Sequence, residues 1–283
     1  MKDQEKLQPG LYMVSTPIGN LEDLSFRACR VLANCQWIAA EDTRETRKLL
    51  DSQGIKTELV SLHEHSGPRK VEELAHRLAN GETGAYVSDA GTPGLCDPGA
   101  DLVRAAAAMG VLVVPVPGPS APVTLLSACG FSGSEFSFRG FFPRENKERA
   151  AWAKQASASG GLQLFFESPH RINECLEFLA SSFPAAPLVV GRELTKKFET
   201  ITRGLATEVA TKLLAEEPRG EYVLALDLPP AEEGATSLKL EEIKALLGEL
   251  AALGASQKTL TRVGMSHGLA KNAAYELALK IPR

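Results

Sequence analysis

At 283 residues, 44% of them hydrophobic and 23% charged, the chain is long enough to bury more than one apolar core. Its net charge of −4 argues against a protein that wraps nucleic acid non-specifically, because neutralising phosphates needs an excess of Lys and Arg, so any RNA contact must be local. No apolar run approaches the ~20 residues that span a bilayer, and MKDQEKLQPG leads into no apolar targeting segment, so the expectation is a soluble, cytoplasmic protein with no membrane partner.

From Leu11 to Gly130 short β-rich runs (LYMVST, WIAA, ELVSL, AYVSD, VLVVPV) alternate with amphipathic stretches (SFRACRVLANC, TRETRKLL, RKVEELAHRLAN, ADLVRAAAAMG, SAPVTLLSACG). That rhythm predicts β-α units around a mainly parallel sheet. From Phe136 to Leu228 the runs become FSFRGFF, LQLFFES, LVVGREL, FETITRG and YVLALDL, with three helical stretches between them. LVVGREL and FETITRG are too close for a crossover helix and should pair as a hairpin. A boundary falls near Pro119, PPAEEGATS reads as a linker, and the chain after it is helical. The expected division is an α/β domain over 11–119, a second α/β domain over 120–229, and a helical module over 237–283.

Ligands of open α/β sheets sit at the carboxyl ends of strands, so the loops after the apolar runs carry the chemistry. Three are unusual: TPIGN (Thr16 to Asn20), SDAGTPGLCDPG (Ser88 to Gly99), and PVPGPSA (Pro115 to Ala121), which delivers Ser120 to the head of a helix. Glycines there let backbone groups approach a ligand closely. Each loop alone reads equally as an ordinary turn; three at one sheet edge favour a nucleotide-like ligand. Neither a P-loop nor a G-x-G-x-x-G follows a strand. Five dispersed cysteines without a C-x-x-C pair, and no histidine cluster, predict reduced thiols and no metal site.

The runs TPIGNLEDLSFRA, AAEDTRETRKLL, SLHEH, SDAGTPGLCDPG, VPGPSA, FESPHR, GRELTKKFE and GEYVL, in this order, resemble the tetrapyrrole-methylase-like (class III) superfamily. Within it they resemble the RsmI-type branch, which methylates the ribose 2′-oxygen of a decoding-centre cytidine in small-subunit ribosomal RNA. The resemblance spans Leu11 to about Lys280. It implies an α/β fold of two tetrapyrrole-methylase-type domains with a cofactor cleft between them, plus the small helical module. It further implies a homodimer, S-adenosylmethionine as cofactor, and small-subunit rRNA or the 30S subunit as partner. Carried over by position, cofactor contacts fall on Pro17, Gly91, Thr92, Leu95, Ser120 and Ala121, with Phe166 a wall for the adenine. This chain departs from the branch in having HEHSGPRK and Cys96. A tetrapyrrole C-methylase and a non-catalytic ribosome-binding factor keeping the fold are the alternatives.

Outside those loops, Asp42 suits a helix cap with Glu45 closing a capping box, while Arg44 reaches the cleft; Asp42 and Arg44 are the substrate-binding candidates of that segment. His63 and His65 read as solvated. In ESPHR, Pro169 opens a helix and His170 and Arg171 lie in its first turn, where a cation is electrostatically unfavourable; that points Arg171 to a substrate or methionine-carboxylate role. Along GRELTKK, alternation puts Glu193 and Lys196 on opposite faces unless the strand ends near Leu194. These two are the catalytic candidates, Lys196 either as a base with a depressed pKa or as a cation beside an oxyanion. Lys197 reads as an edge guard. The carboxy-terminal helices, broken at Ser266-His267-Gly268, resemble a helix-turn-helix whose Lys258, Arg262 and Lys271 supply a local basic patch for RNA.

Overall fold

Short runs that are apolar at nearly every position become the inner strands of a parallel sheet, because helices cover both of its faces. The computed structural model describes residues 6–63, 65–132, 135–229, 240–267, 269 and 271–281. Its first sheet comprises β1 (Gly10–Val14), β2 (Trp37–Ala40), β3 (Glu58–Ser61), β4 (Thr83–Val87) and β5 (Val113–Val116), all parallel, in the order β3-β2-β4-β1-β5. β2 and β4 are buried throughout, while edge strand β3 is half exposed. The crossovers are α1 (Phe26–Asn34), α2 (Thr43–Ser52), α3 (Gly67–Ala79) and α4 (Gly99–Ala108). One apolar cluster gathers Val14, Leu32, Ile38 and Leu50, and another gathers Leu11, Trp37, Leu74 and Leu102. Burial pushes the Cys35 thiol up to about 12, so it is an inert part of the first cluster.

Strand order decides where the site lies. Because β1 sits between β4 and β5, the loops after these three strands emerge side by side at the carboxyl edge of the sheet.

α5 (Ala121–Cys129) follows β5, with a proline in its first turn where the missing N–H has no helical partner to lose. Then come β6 (Phe136–Phe141), α6 (Asn146–Ser159), β7 (Gly161–Glu167), α7 (Ile172–Ser182), β8 (Pro187–Arg192), β9 (Thr200–Leu205), α8 (Ala206–Leu214) and β10 (Tyr222–Leu228). These strands form a second sheet in the order β6-β7-β10-β8-β9, in which β8 and β9 pair antiparallel as the expected hairpin. β8 stops at Arg192, because Glu193 (φ 53°) and Thr195 (φ 66°) turn into the left-handed region.

The chain divides into two compact units. Among the described residues, the first takes in 6–132, 138–142 and 164–226; the second takes in 135–137, 143–163 and the residues after 226. In the second, Arg149 on α6 donates to the carbonyl of Pro143 at 3.1 Å. There too, α9 (Leu240–Ala252), α10 (Gln257–Ser266) and α11 (Lys271–Lys280) enclose Ile243, Leu247, Ala251, Leu260 and Ala278. Ser256 caps α10 by accepting the Thr259 N–H. The expected linker lies largely outside the described residues, as do Gly268 and Arg283; Lys258, Arg262 and Lys271 stand on exposed positions of α10 and α11.

Candidate functional site

The three glycine- and proline-rich loops are laced together. Thr16 and Gly91 exchange backbone hydrogen bonds at 2.9 and 3.1 Å, an isolated antiparallel bridge between the first loop and the second. The Thr16 hydroxyl donates to the Ser88 carbonyl, Ser15 Oγ donates to Thr92 Oγ1 at 3.3 Å, and Thr92 Oγ1 donates to the Pro119 carbonyl of the third loop at 2.9 Å. Gly91 is needed at the bridge: its φ is +79°, and a Cβ there would stand 3.2 Å from Ile18 Cγ2.

The laced loops form one side of a cavity of about 450 Å³, within the range of small-molecule sites. Gly91, Thr92, Leu95, Ser120, Ala121 and Phe166 all line it; Pro17 does not, and its neighbour Ile18 takes that place. The opposite wall comes from strand ends of the second sheet, with Phe141, Phe166 and Tyr222 presenting aromatic surface. The Phe166 ring meets Phe138 edge-on at a centroid distance of 5.0 Å and Phe141 at a tilt at 5.4 Å. Ser120 is the N-cap residue of α5, yet its side chain makes no capping bond, which leaves the hydroxyl to the cavity it lines. Sequence reasoning missed Asp89, Asp97, Glu221 and Tyr222; Asp89 and Asp97 were legible as the acidic positions of the second loop.

Asp42 caps α2 as expected, accepting the Arg44 N–H at 2.8 Å. The capping box does not form: the Asp42 N–H is taken by Asp89 Oδ1 at 2.8 Å, and Glu45 pairs with Lys48 instead. Nor does Arg44 line the cavity. It folds back on Asp42 at 2.8 Å with 86% of its side chain exposed, and this guanidinium holds the Asp42 carboxyl well below the usual carboxylate range. Glu41 is the residue of this segment that lines the cavity.

The ESPHR segment departs from the sequence reading. α7 begins at Ile172, so Pro169 and His170 precede it and Arg171 is the N-cap. Arg171 is engaged by the protein: its guanidinium lies 2.6 Å from the fully buried Glu167 carboxylate and donates to the Phe142 carbonyl at 3.2 Å. The cation that looked misplaced at a helix start balances a buried anion one turn earlier. His170 is exposed and does not line the cavity, whereas Glu167, Ser168 and Pro169 do.

Glu193 and Lys196 meet because the strand ends. The left-handed turn at Glu193 and Thr195 brings Lys196 Nζ to 2.9 Å from Glu193 Oε1 and 3.0 Å from Glu221 Oε2. Burial works to lower the lysine's pKa, but the two carboxylates outweigh it and hold the ammonium above its ordinary value. The depressed-pKa base expected as one possibility is therefore not present; Lys196 is a fixed cation. Burial likewise works to raise the Glu193 carboxyl, and Lys196 with the Glu221 backbone N–H brings it below the ordinary value. Neither residue lines the 450 Å³ cavity, but the neighbours Leu194 and Glu221 do. The first loop packs tightly against this turn: a Cβ on Gly19 would stand 2.3 Å from Lys196 Cγ.

Cys96 also borders the cavity, and burial, followed by the charge of Asp97, pushes its thiol up, which disfavours a nucleophilic thiolate. Among the described residues no group of three or more His, Cys, Asp or Glu side chains is placed to hold a metal ion, and no helix is long and apolar enough to cross a membrane.

This arrangement has counterparts. The family model for Tetrapyrrole (Corrin/Porphyrin) Methylases matches residues 10–210. The chain is 41% identical over 277 residues to the Ribosomal RNA small subunit methyltransferase I of Neisseria meningitidis serogroup A (strain Z2491), covering 95% of this chain and 92% of that one. Among solved structures, a diphthine synthase superposes with a TM-score of 0.62 at 14% identity, over 83% of this chain and 94% of its own. A uroporphyrin-III C-methyl transferase from Thermus thermophilus, complexed with S-adenyl homocysteine, gives 0.53 at 17% identity, over 77% and 97%. At those identities the two structures speak for the fold alone. By its match over residues 10–210 and its 41% identity along nearly its whole length, the chain belongs to the tetrapyrrole methylase family, in the branch of the ribosomal RNA small subunit methyltransferase I proteins.

Proposed function

We propose that the protein transfers a methyl group from S-adenosylmethionine to the 2′-oxygen of a cytidine ribose in small-subunit ribosomal RNA, acting as a homodimer in the cytoplasm. The observation that carries the cofactor assignment is the lacing of three loops onto one 450 Å³ cavity, with Gly91 and Thr92 in its wall and aromatic surface at Phe166. Family membership supports ribosomal RNA as substrate; the ribose oxygen and the cytidine rest on the motif resemblance.

S-adenosylmethionine suits these walls. Gly91 and Thr92, with Leu95, Ser120 and Ala121, would hold it by close backbone approach and short side chains, Pro17 would set the first loop behind Ile18, and the rings of Phe166 and Phe141 would cover the adenine. When bound, it supplies an electrophilic methyl group on a sulfonium. The chain's own contribution is placement: fixing the ribose hydroxyl in line with that methyl accounts for most of the acceleration. Lys196, held charged between Glu193 and Glu221, fixes the turn that places Leu194 and Glu221 on the cavity wall. Arg171 fixes Glu167 at the end of β7, and Asp42 fixes the start of α2. Lys258, Arg262 and Lys271, exposed on α10 and α11, are assigned to RNA phosphates.

Calorimetry with S-adenosylmethionine, S-adenosylhomocysteine, NAD and ATP tests the cavity. The first two bind and the last two do not; Gly91→Val abolishes binding while its circular dichroism stays native. Undiminished binding by that variant overturns the site. For the reaction, 30S subunits treated with tritiated cofactor should yield 2′-O-methylcytidine on nucleoside analysis. A methylated base overturns the ribose assignment, and no incorporation at all favours the ribosome-binding factor.

A further inference from the structure

A second cavity, of about 760 Å³, lies in the first unit where the start of α3 faces α4. Glu41, Cys96 and Asp97 border both cavities, so the two adjoin through a common wall. Its chemistry differs from that of a phosphate site. Glu41, Glu72, Asp97 and Asp101 line it against one guanidinium, Arg104, which is itself 2.8 Å from Asp101. A phosphodiester would be repelled by such a wall.

An uncharged ring with N–H donors would be accepted. Carboxylates are natural partners of an exocyclic amino group, and Leu62, Val71 and Pro98 offer apolar surface for a ring face. His63 adds a donor: its Nδ1 accepts the His65 N–H at 3.2 Å, which leaves the imidazole proton on Nε2. A base that carries an amino group beside a ring carbonyl matches that mixture of acceptors and donor.

We infer that this second cavity receives the acceptor nucleoside, extruded from its stack, with an amino-bearing base in the cavity and the ribose toward the shared wall of Glu41, Cys96 and Asp97. The inference rests on the reading of the first cavity as the methyl-donor site. It assigns the base-recognition surface to α3 and α4 and leaves phosphate contacts to other parts of the chain.

Ala108, exposed on α4, lines only the second cavity, so Ala108→Trp narrows that cavity alone. With 30S subunits rebuilt around rRNA carrying either cytidine or uridine at the methylated position, the wild type should prefer cytidine at least tenfold in kcat/KM. A108W should lose at least tenfold in kcat/KM on the cytidine particle and bind S-adenosylmethionine within twofold of wild type, while Ala108→Ser behaves as wild type. Wild-type turnover by A108W overturns the inference. Equal use of cytidine and uridine by the wild type overturns recognition of the amino group, and loss of cofactor binding in A108W overturns the separation of the two cavities. A wild type that binds no S-adenosylmethionine would instead refute the reading of the first cavity.

Discussion

Lys196 carries the plainest consequence at the scale of single residues, because one ammonium bridges two carboxylates that would otherwise repel each other. Lys196→Ala should destabilise the protein by about 1 kcal/mol, the upper end for ion pairs partly screened by solvent. It should also weaken cofactor binding about tenfold by releasing Leu194 and Glu221, and Lys196→Arg should recover most of both losses. Glu193, whose pKa is lowered, contributes stability that is present above the ordinary carboxylate value and lost as pH falls through its folded value. Lys196, whose pKa is raised, contributes stability that is present below the ordinary lysine value and lost as pH rises through its folded value. The gap in Tm between wild type and Lys196→Ala should therefore stay level between about pH 5 and 9 and close as pH falls below about 4. A gap that widens in acid contradicts the pairing. Gly91, Thr92 and Ser120 were legible in the sequence because loop chemistry is written in residue types. The roles of Arg44 and Arg171 were not, since both cations meet carboxylates that only the fold or a local turn brings within reach.

Among elements, the junction of β7 and α7 is where the structure most corrects the sequence. The apolar run LQLFFE was enough to predict the strand, but nothing in SPHR marks three residues of turn before the helix starts at Ile172. Along GRELTKK the sequence left open whether the strand continues or ends near Leu194; it ends at Arg192, and the left-handed residues that follow, Glu193 and Thr195, are not glycines and so leave no trace in composition. The inner strands β2 and β4 were readable because burial on both faces demands unbroken apolar runs. Where strands end is a property of loops in contact with one another. Glu167 and Arg171 make the junction testable. Arg171→Met takes from a fully buried carboxylate its arginine and should cost about 3 kcal/mol by urea unfolding. Glu167→Gln together with Arg171→Met should be less destabilised than Arg171→Met alone. If the two losses simply add, the pair is not coupled and the arginine is free for a ligand role.

For the whole molecule, the helices after residue 239 have their own apolar centre around Ile243, Leu247 and Leu260 and display Lys258, Arg262 and Lys271 at exposed positions. Removing Thr236–Arg283 should leave a folded protein that binds S-adenosylmethionine within about twofold of wild type but methylates 30S subunits at a small fraction of the normal rate. Full-rate methylation by the truncated protein would remove these helices from RNA docking. The order β3-β2-β4-β1-β5 has a consequence for how the chain is made. β1 leaves the ribosome first, yet its partners begin only at Thr83 and Val113, so GLYMV travels with both edges open until β4 and then β5 have been synthesised. Such a strand is a template for other chains in a polysome. Translation that stalls before Val113 therefore leaves an adhesive nascent chain, whereas a pause after α6, with β5 clear of the exit tunnel, finds all five strands of the sheet available.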